Sequence, residues 1–271
     1  MKSSKSASKR RVALLVGTML CLALVACDGA RQSAAADLPL TGTLKIDGST
    51  ALQPLAALAA QQFMQLHPGV QVDVATQDTN NSAYDANRLG SKNGLTNVNN
   101  GQAAIGASDI YADSSLSHYA DLNDHIVCVI PFVMIVNPAV TGITNLKASD
   151  INGIYADSSI TNWSQVGGPN LIIKKAIRPS TSGTRATFRQ FVLGGQDEVA
   201  NPNDNVLKKD STSGILSYVE STPGAIGYVG LPSLVGEGTK VTQLTIDGVA
   251  PTGATIRANS YQFWNYEHLY T

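Results

Sequence analysis

The feature that most constrains the fold of this chain is a strand–helix–strand pattern between residues 44 and 74. Residues 44–47 and Val70–Val74 alternate apolar and polar side chains, as strands do. Residues 51–66, between them, have helical spacing, and we expect one buried face made of Leu52, Leu55, Ala59, Phe63 and Leu66. Two strands joined through a helix imply a parallel sheet covered by helices, so we predict an α/β fold.

The same alternation continues along the chain. Further strands are predicted at residues 104–107, 127–136, 171–177 and 225–229. Helices are predicted from about residue 94 and at 146–155, 183–193 and 213–220, with Phe188, Phe191 and Val192 facing inward. Residues 127–136 form a nearly continuous apolar run, typical of a buried strand that passes from one half of the protein to the other. Two α/β lobes joined by extended crossings are the economical interpretation.

The first 26 residues have the composition of a secretory signal. Five basic residues precede an apolar run at 12–26, which is shorter than the roughly 20 residues that a membrane-spanning helix needs. The run ends in LVAC, which resembles the lipobox of bacterial lipoproteins and predicts a lipid such as palmitate on Cys27. Residues 27–41 are then the lipidated Cys and a flexible tether, and the protein is anchored to a bacterial membrane in the periplasm or at the cell surface. An uncleaved anchor or an ordinary signal peptide is the alternative.

The charge and the cysteines exclude several classes of protein. The formal net charge of −1 becomes about −6 once the five basic residues of the signal are removed, so no basic excess predicts a nucleic-acid partner. Cys21 leaves with the signal and Cys27 carries the lipid, which leaves Cys128 alone as an expected small buried residue. A disulfide framework and a Cys-based metal site are therefore not expected.

Three predicted strand ends place a small hydroxyl residue beside glycine at the start of a helix. They are residues 47–51 (DGSTA), 90–94 (GSKNG) and 178–185 (RPSTSGTR). The first N–H groups of a helix lack intrahelical partners and carry the positive end of its dipole, so such turns favour anions. Each turn alone is equally well explained as a helix cap. Three of them at the strand ends of one α/β protein, where such folds bind ligands, favour a shared anion site.

Two charged residues adjoin these turns. Arg178 ends a predicted strand four residues before Ser182, where a planar guanidinium could hold two ligand oxygens. A surface position in a turn is the alternative for Arg178. Asp109 follows the strand at 104–107 and, taken alone, is interpreted as an N-cap or turn residue.

These motifs, in this order, resemble the periplasmic phosphate-binding proteins of ABC importers, the PstS family. The resemblance rests on residues 48–50 (GST), 90–94 (GSxxG), 106–109 (GASD) and 178–184 (RxxxSGT), and it covers about residues 42–271. It implies a two-lobed, type II periplasmic-binding-protein fold with the ligand in the cleft between the lobes. Lobe I would comprise residues 42–129 and 262–271, lobe II would comprise 130–261, and the cleft would close by hinge bending.

Position by position, the resemblance implies a set of phosphate ligands but no metal and no cofactor. The implied ligands are Thr50, the backbone N–H of Ala51, Ser91, Asp109, Arg178, Ser182, Gly183 and Thr184. Asp109 would accept a proton of the ligand and Arg178 would be the charged clamp. Phosphate keeps at least one proton near neutral pH whereas sulfate keeps none, so a desolvated carboxylate would accept the proton of phosphate and repel sulfate.

The chain departs from the family pattern in two places. The segment between residues 75 and 94 is long and lacks the usual glycine-rich character, so Ser82 competes with Ser91 as the second-loop ligand. The sequence stops at Thr271, where the family usually continues with helices that complete lobe I. We therefore expect lobe I to be incomplete, with exposed apolar surface.

Catalysis is not expected, because His67, His118, His125 and His268 lie in no recognisable hydrolase motif and no phosphate-loop motif is present. The expected partners are inorganic phosphate, the membrane permease of an ABC importer and the membrane itself, through the lipid at Cys27. Two alternatives stay open: a surface lipoprotein that senses or stores phosphate without a permease, and a protein for another tetrahedral oxyanion.

Overall fold

The structure is a computed structural model that describes residues 39–113, 119–199, 207–235 and 240–271. The predicted signal peptide and Cys27 lie outside these residues. Pro39–Thr271 form one compact unit.

Strands and helices alternate along most of this unit. The helices are α1 (Gln53–Leu66), α2 (Ser91–Asn99), α3 (Ala148–Tyr155), α4 (Gly183–Phe191), α5 (Thr212–Ser221) and α6 (Gly253–Arg257). The strands are β1 (Gly42–Gly48), β2 (Val70–Val74), β3 (Ile105–Ser108), β4 (Asp124–Val136), β5 (Asn145–Leu146), β6 (Lys174–Ile177), β7 (Leu207–Lys208), β8 (Ala225–Gly230), β9 (Thr242–Ile246) and β10 (Trp264–Tyr270).

Among the described residues, the strands pair in the order β2-β1-β3-β10-β4-β8-β6-β7. β1 is parallel to β2 and β3, and β6 is parallel to β7 and β8. β10 is antiparallel to both β3 and β4. The carboxyl ends of β1 and β3 therefore lie side by side, which is where the predicted ligands Thr50 and Asp109 follow their strands. The predicted α/β class is confirmed.

The long strand β4 links two parts of the sheet. Its residues 124–131 pair with β10, and its residues 132–136 pair with β8. The larger apolar core lies around the second part and includes Phe132, Trp163 and Phe188, all fully buried. A smaller core packs α1 against β1 and β2.

Several residues that were predicted to be buried in α1 are exposed. In α1, the expected Leu55 and Leu66 are 49% and 76% exposed, whereas Ala56 and Ala60 are buried against the sheet. The helix carries leucines on more than one side, so its apolar pattern alone does not select the face that packs. Ala59 is likewise exposed, and Phe63 is half-buried.

Two further expectations about burial were wrong. Phe191, the last residue of α4, is 39% exposed, although Phe188 and Val192 are buried as predicted. Cys128 is half-buried, because it sits in the part of β4 where Ile126 and Val129 are exposed. No helix in the described ranges combines the length and the apolar character needed to cross a bilayer.

Candidate anion-binding site

The turn that follows β1 is shaped by Gly48 and Ser49. Gly48 has φ +127°, and a Cβ there would lie 2.0 Å from the carbonyl oxygen of Ala107, so only glycine fits between β1 and β3. Ser49 Oγ accepts hydrogen bonds from the N–H groups of Ala51 and Leu52, both at 3.1 Å. Ser49 therefore caps the turn, and the N–H of Ala51 has a protein partner.

Thr50 is the residue of this turn that reaches across the site. Its Oγ1 accepts a hydrogen bond from Nη2 of Arg178 at 3.0 Å and from the N–H of Thr212 at 3.2 Å. Its carbonyl oxygen accepts from Nε2 of Gln77 at 2.7 Å, and Oε1 of Gln77 accepts from the N–H of Ser213 at 3.2 Å. The start of α1 is thereby tied to the start of α5.

Ser91 is the first residue of α2 and is fully buried. Its Oγ accepts the N–H of Asp109 at 2.9 Å. A Cβ built on Gly183 would lie 2.2 Å from the same oxygen, so Ser91 touches the start of α4 as well as the end of β3. Its sequence competitor, Ser82, lies exposed in the loop before α2. The geometry therefore places Ser91, and not Ser82, beside the other predicted ligands.

Asp109 follows β3 and is 1% exposed. Its Oδ2 accepts a hydrogen bond from Oγ1 of Thr184 at 2.7 Å. Its Oδ1 is buried and has no hydrogen-bond donor among the described residues. A buried acceptor without a partner is unfavourable, so Oδ1 is available for a ligand that brings a proton.

Arg178 directly follows β6 and is also 1% exposed. Its Nη2 donates to Thr50 Oγ1 and to the carbonyl oxygen of Asp210, both at 3.0 Å. Nε and Nη1 have no acceptor in the part of the chain that the structure describes. Burial lowers the pKa of Arg178, an effect that Tyr228, Asp109 and Asp210 partly offset. A buried cation with unpaired N–H donors is a ready partner for an anion.

The start of α4 completes this group. Ser182 is its N-cap, and Ser182 Oγ accepts the N–H of Arg185 at 3.2 Å. Gly183 and Thr184 form the first turn, whose N–H groups point along the positive end of the helix dipole. The turn lies against Asp109 and Ser91.

A second layer of side chains holds Arg178 from behind. The N–H of Arg178 donates to the hydroxyl of Tyr228 at 3.2 Å, and that hydroxyl donates to Oε1 of Glu198 at 2.6 Å. Glu198 also forms an ion pair with Nε of Arg185. Burial and the neighbouring Glu198 carboxylate raise the pKa of Tyr228 well above its usual value, so its hydroxyl stays protonated and continues to donate.

A cavity of about 980 Å³ adjoins the site. Thr50 and Gln77 line one side of it, and Asp210, Thr212 and Ser213 line the other. Asp109 and Arg178 are buried and are not among its lining residues. The cavity adjoins them through Thr50, which is hydrogen-bonded to Arg178.

The structure brings together the predicted ligands Thr50, Ser91, Asp109, Arg178 and the residues Ser182–Thr184. Sequence reasoning missed Thr212, although residues 209–214 (KDSTSG) repeat the hydroxyl-and-glycine signal of the other three turns. It also missed Glu267, a buried carboxyl on β10 for which the sequence carries no motif. Within the described ranges, no group of three or more His, Cys, Asp or Glu side chains is placed to hold a metal ion.

This chain is similar to known proteins both in sequence and in fold. The PBP superfamily domain matches residues 33–271. The phosphate-binding protein PstS of Bacillus subtilis is 34% identical over 241 residues, which are 89% of this chain and 73% of that protein.

Two solved structures share the fold. A candidate phosphate ABC transporter substrate-binding protein with bound phosphate, from Clostridium perfringens, has a TM-score of 0.70 at 23% identity. An ABC-type phosphate transport receptor from Vibrio cholerae has a TM-score of 0.58 at 24% identity. Each alignment covers 84% of this chain and 86% of the other.

Proposed function

This chain belongs to the PBP superfamily and, within it, to the PstS phosphate-binding proteins, and from that premise we propose that it binds inorganic phosphate for an ABC importer. One observation carries the proposal. Oδ1 of Asp109 and the Nε and Nη1 groups of Arg178 are buried, close to one another and without protein partners among the described residues. An acceptor beside a cationic donor pair suits a small anion that still carries a proton.

Phosphate fits this combination better than other abundant oxyanions. Arg178 supplies a permanent positive charge and unpaired N–H groups on Nε and Nη1, each of which can donate to an oxygen of a tetrahedral ion. Asp109 accepts the proton that phosphate keeps near neutral pH. Sulfate has no proton to donate, so its oxygens would face the Asp109 carboxylate with lone pairs on both sides. Discrimination then follows from repulsion by one buried carboxylate.

The remaining contacts come from hydroxyl and backbone donors. Thr50 and Ser91 would donate from their hydroxyl groups, and the first turn of α4, residues 182–184, would donate from hydroxyl and N–H groups. The N–H of Ala51 would share its bond between Ser49 and the ligand, since Ser49 already accepts it.

The two-lobed organisation is part of the same proposal. Lobe I would comprise residues 42–129 and 262–271, and lobe II would comprise residues 130–261. The pairing of β4 supports this division, since its partner changes from β10 to β8 between Pro131 and Phe132. Bending at this position would open and close the cleft between Thr50 and Thr212.

The lipid anchor completes the proposed setting. Cleavage before Cys27 and lipidation of that residue would hold the protein at a bacterial membrane, in the periplasm or at the cell surface, beside its permease. Replacement of Cys27 by Ser should release the protein from washed membranes. Continued attachment would instead point to an uncleaved anchor.

Calorimetric titration of the purified, folded protein with phosphate and with sulfate tests the central proposal. We expect saturable binding of phosphate and weak or no binding of sulfate. Absence of binding with phosphate would overturn the proposal, and tighter binding of sulfate would assign the site to a different oxyanion. Phosphate uptake by cells that lack the gene would then separate a role in transport from sensing or storage.

A further inference from the structure

A second carboxyl group lies directly behind the ligand-facing Asp109. Glu267 on β10 is fully buried. β10 runs antiparallel to β3 with His268 opposite Ser108 and Leu269 opposite Ala107. Glu267 and Asp109 each come one residue beyond the last pair of these strands, His268 with Ser108, and the charge of Asp109 and a hydrogen bond to it act on the carboxyl group of Glu267. The two carboxyl groups are therefore neighbours.

Neither carboxyl oxygen of Glu267 has a hydrogen-bond donor among the described residues, and Oδ1 of Asp109 has none either. Two ionised carboxylates cannot hydrogen-bond to each other, and their like charges repel at short range in a buried site. A single proton shared by the pair removes one charge and supplies a hydrogen bond to Asp109. A carboxylate oxygen has two lone pairs, so Oδ1 of Asp109 can still accept the proton of a ligand. The unpartnered oxygens thus indicate that one of the two groups is protonated.

The surroundings decide which group holds the proton. Asp109 receives a hydrogen bond from Thr184 and lies near the charge of Arg178, and a hydrogen-bond donor and a cation both stabilise a carboxylate. None of the described residues places a cation beside Glu267. Cys128 lies opposite Glu267 on β4, and the adjacent His268 is hydrogen-bonded to Asp124. Burial, followed by the charge of Asp109 and the hydrogen bond to it, raises the pKa of Glu267 well above its usual value.

We propose that Glu267 is a positioning residue that carries a proton, donates it in a hydrogen bond to Asp109, and so keeps Asp109 an ionised acceptor for the proton of the ligand. The proposal rests on the proposed phosphate site and adds a residue that controls its selectivity. If Asp109 held the proton instead, it would present an O–H donor to the ligand. A protonated Asp109 would donate a hydrogen bond to sulfate, whereas an ionised Asp109 would repel it.

Three variants test this role. Glu267→Gln keeps a donor toward Asp109 but cannot ionise, Glu267→Met removes the donor at similar volume, and Cys128→Ala changes the other neighbour of Glu267 as a matched control. Phosphate and sulfate affinities would be measured by calorimetry from pH 5 to pH 8, with circular dichroism to confirm folding.

We expect Glu267→Met to lower the preference for phosphate over sulfate by about tenfold or more, because Asp109 loses the hydrogen bond that Glu267 donates. Glu267→Gln should restore the preference, and Cys128→Ala should leave it unchanged. A wild-type preference in Glu267→Met at every pH would overturn the proposal. If Glu267→Met does not fold, the test uses Glu267→Gln alone. Loss of the preference for phosphate over sulfate in folded Glu267→Gln would also overturn the proposal, because that variant keeps the hydrogen-bond donor and lacks only the ability to ionise.

Infrared spectroscopy gives a readout that does not depend on the ligand. The difference spectrum between wild type and Glu267→Gln at pH 7 should contain the C=O stretch of a protonated carboxyl group. Phosphate binding without that band would contradict the role of Glu267. The band in a protein that binds no phosphate would contradict the proposed phosphate site while leaving the shared proton in place.

Discussion

Oγ1 of Thr184 donates a hydrogen bond of 2.7 Å to Oδ2 of Asp109, across 75 positions of the chain. The bond joins the first turn of α4 to the end of β3 and occupies one oxygen of the carboxylate. It therefore fixes the direction in which the other oxygen, Oδ1, points. The selectivity proposed for this site would depend on that orientation as well as on the presence of a carboxylate.

Replacement of Asp109 by Asn should weaken discrimination more than it weakens binding. An amide of the same size can donate to a fully deprotonated oxygen, so sulfate should gain affinity relative to phosphate by about tenfold or more. Competition of sulfate against bound phosphate measures the ratio. Asp78→Asn, on the exposed loop near the cavity, is the control. An unchanged ratio in Asp109→Asn would rule out proton recognition by this residue.

Replacement of Arg178 by Met should separate binding from stability. Phosphate affinity should fall by more than about 2 kcal/mol, because the charged donors are lost. Without phosphate, the change in Tm should be small, since removal of a buried cation with two unpaired donors offsets the loss of the hydrogen bonds from Nη2 to Thr50 and Asp210. Thermal unfolding with and without phosphate measures both effects. A phosphate-induced rise in Tm equal to that of wild type would place Arg178 outside the site.

Replacement of Gly183 by Ala should prevent the close approach of α4 to α2. A Cβ there would lie 2.2 Å from Ser91 Oγ and 2.9 Å from Cβ of Asp109. We expect phosphate affinity to fall by about tenfold or more, since these groups can no longer surround the ion. Gly253→Ala, at the start of α6, meets only the flexible end of Arg257 at 3.3 Å and should bind normally. Equal affinities for the two variants would contradict the packing of Gly183 against Ser91 in the bound protein.

The second-loop ligand can be identified with one pair of variants. Ser91→Ala should weaken phosphate binding by about 1 kcal/mol or more, because Ser91 is buried beside Asp109 and Gly183. Ser82→Ala should have no effect, because Ser82 is exposed. Calorimetry at constant pH suffices. The opposite pattern would mean that the loop rearranges when phosphate binds.

The stability of the protein should depend on pH through Glu267. Its pKa is raised in the folded state, so the folded chain holds a proton that the unfolded chain releases above a pH of about 4. The unfolded state binds fewer protons in that window, and the free energy of unfolding therefore decreases as the pH rises from about 4 toward the folded-state pKa. The Glu267→Gln variant does not lose stability in this way, because its side chain does not ionise. Its Tm relative to wild type should increase between pH 4 and pH 8, and a constant difference would contradict the raised pKa.

The structure brings the predicted site residues together, whereas several predicted buried faces were wrong. Thr50 and Arg178 were singled out because each follows a strand, and the ends of neighbouring strands meet at one edge of a sheet. The same reasoning would have found Thr212, whose turn has the composition of the other three. Asp109 was named as a ligand only through the family resemblance. The position of Glu267 near the site could not be predicted in either way. A single carboxyl group in a strand can be assigned to the site only when the pairing of β10 with β3 is known.

The errors in burial have a common physical reason. α1 has apolar residues on several sides, so the periodicity of its sequence is compatible with more than one inward face. The face that is buried is set by the neighbouring strands, where Ala56 and Ala60 allow the helix to approach closely. The prediction for Cys128 was wrong because an apolar strand is not buried along its whole length. Residues 124–129 of β4 are mostly exposed, whereas residues 132–136 are buried.

The hydrogen bonds between the starts of α1 and α5 have a consequence for the speed of binding. Asp109 and Arg178 are each 1% exposed, and hydrogen bonds join Thr50 to Thr212 and Gln77 to Ser213 beside the cavity. We expect these bonds to separate before an ion reaches the buried groups. The observed association rate should therefore rise with phosphate concentration and then level off at the rate at which these hydrogen bonds open. At high phosphate concentration, binding would then be limited by this motion of the protein and not by diffusion.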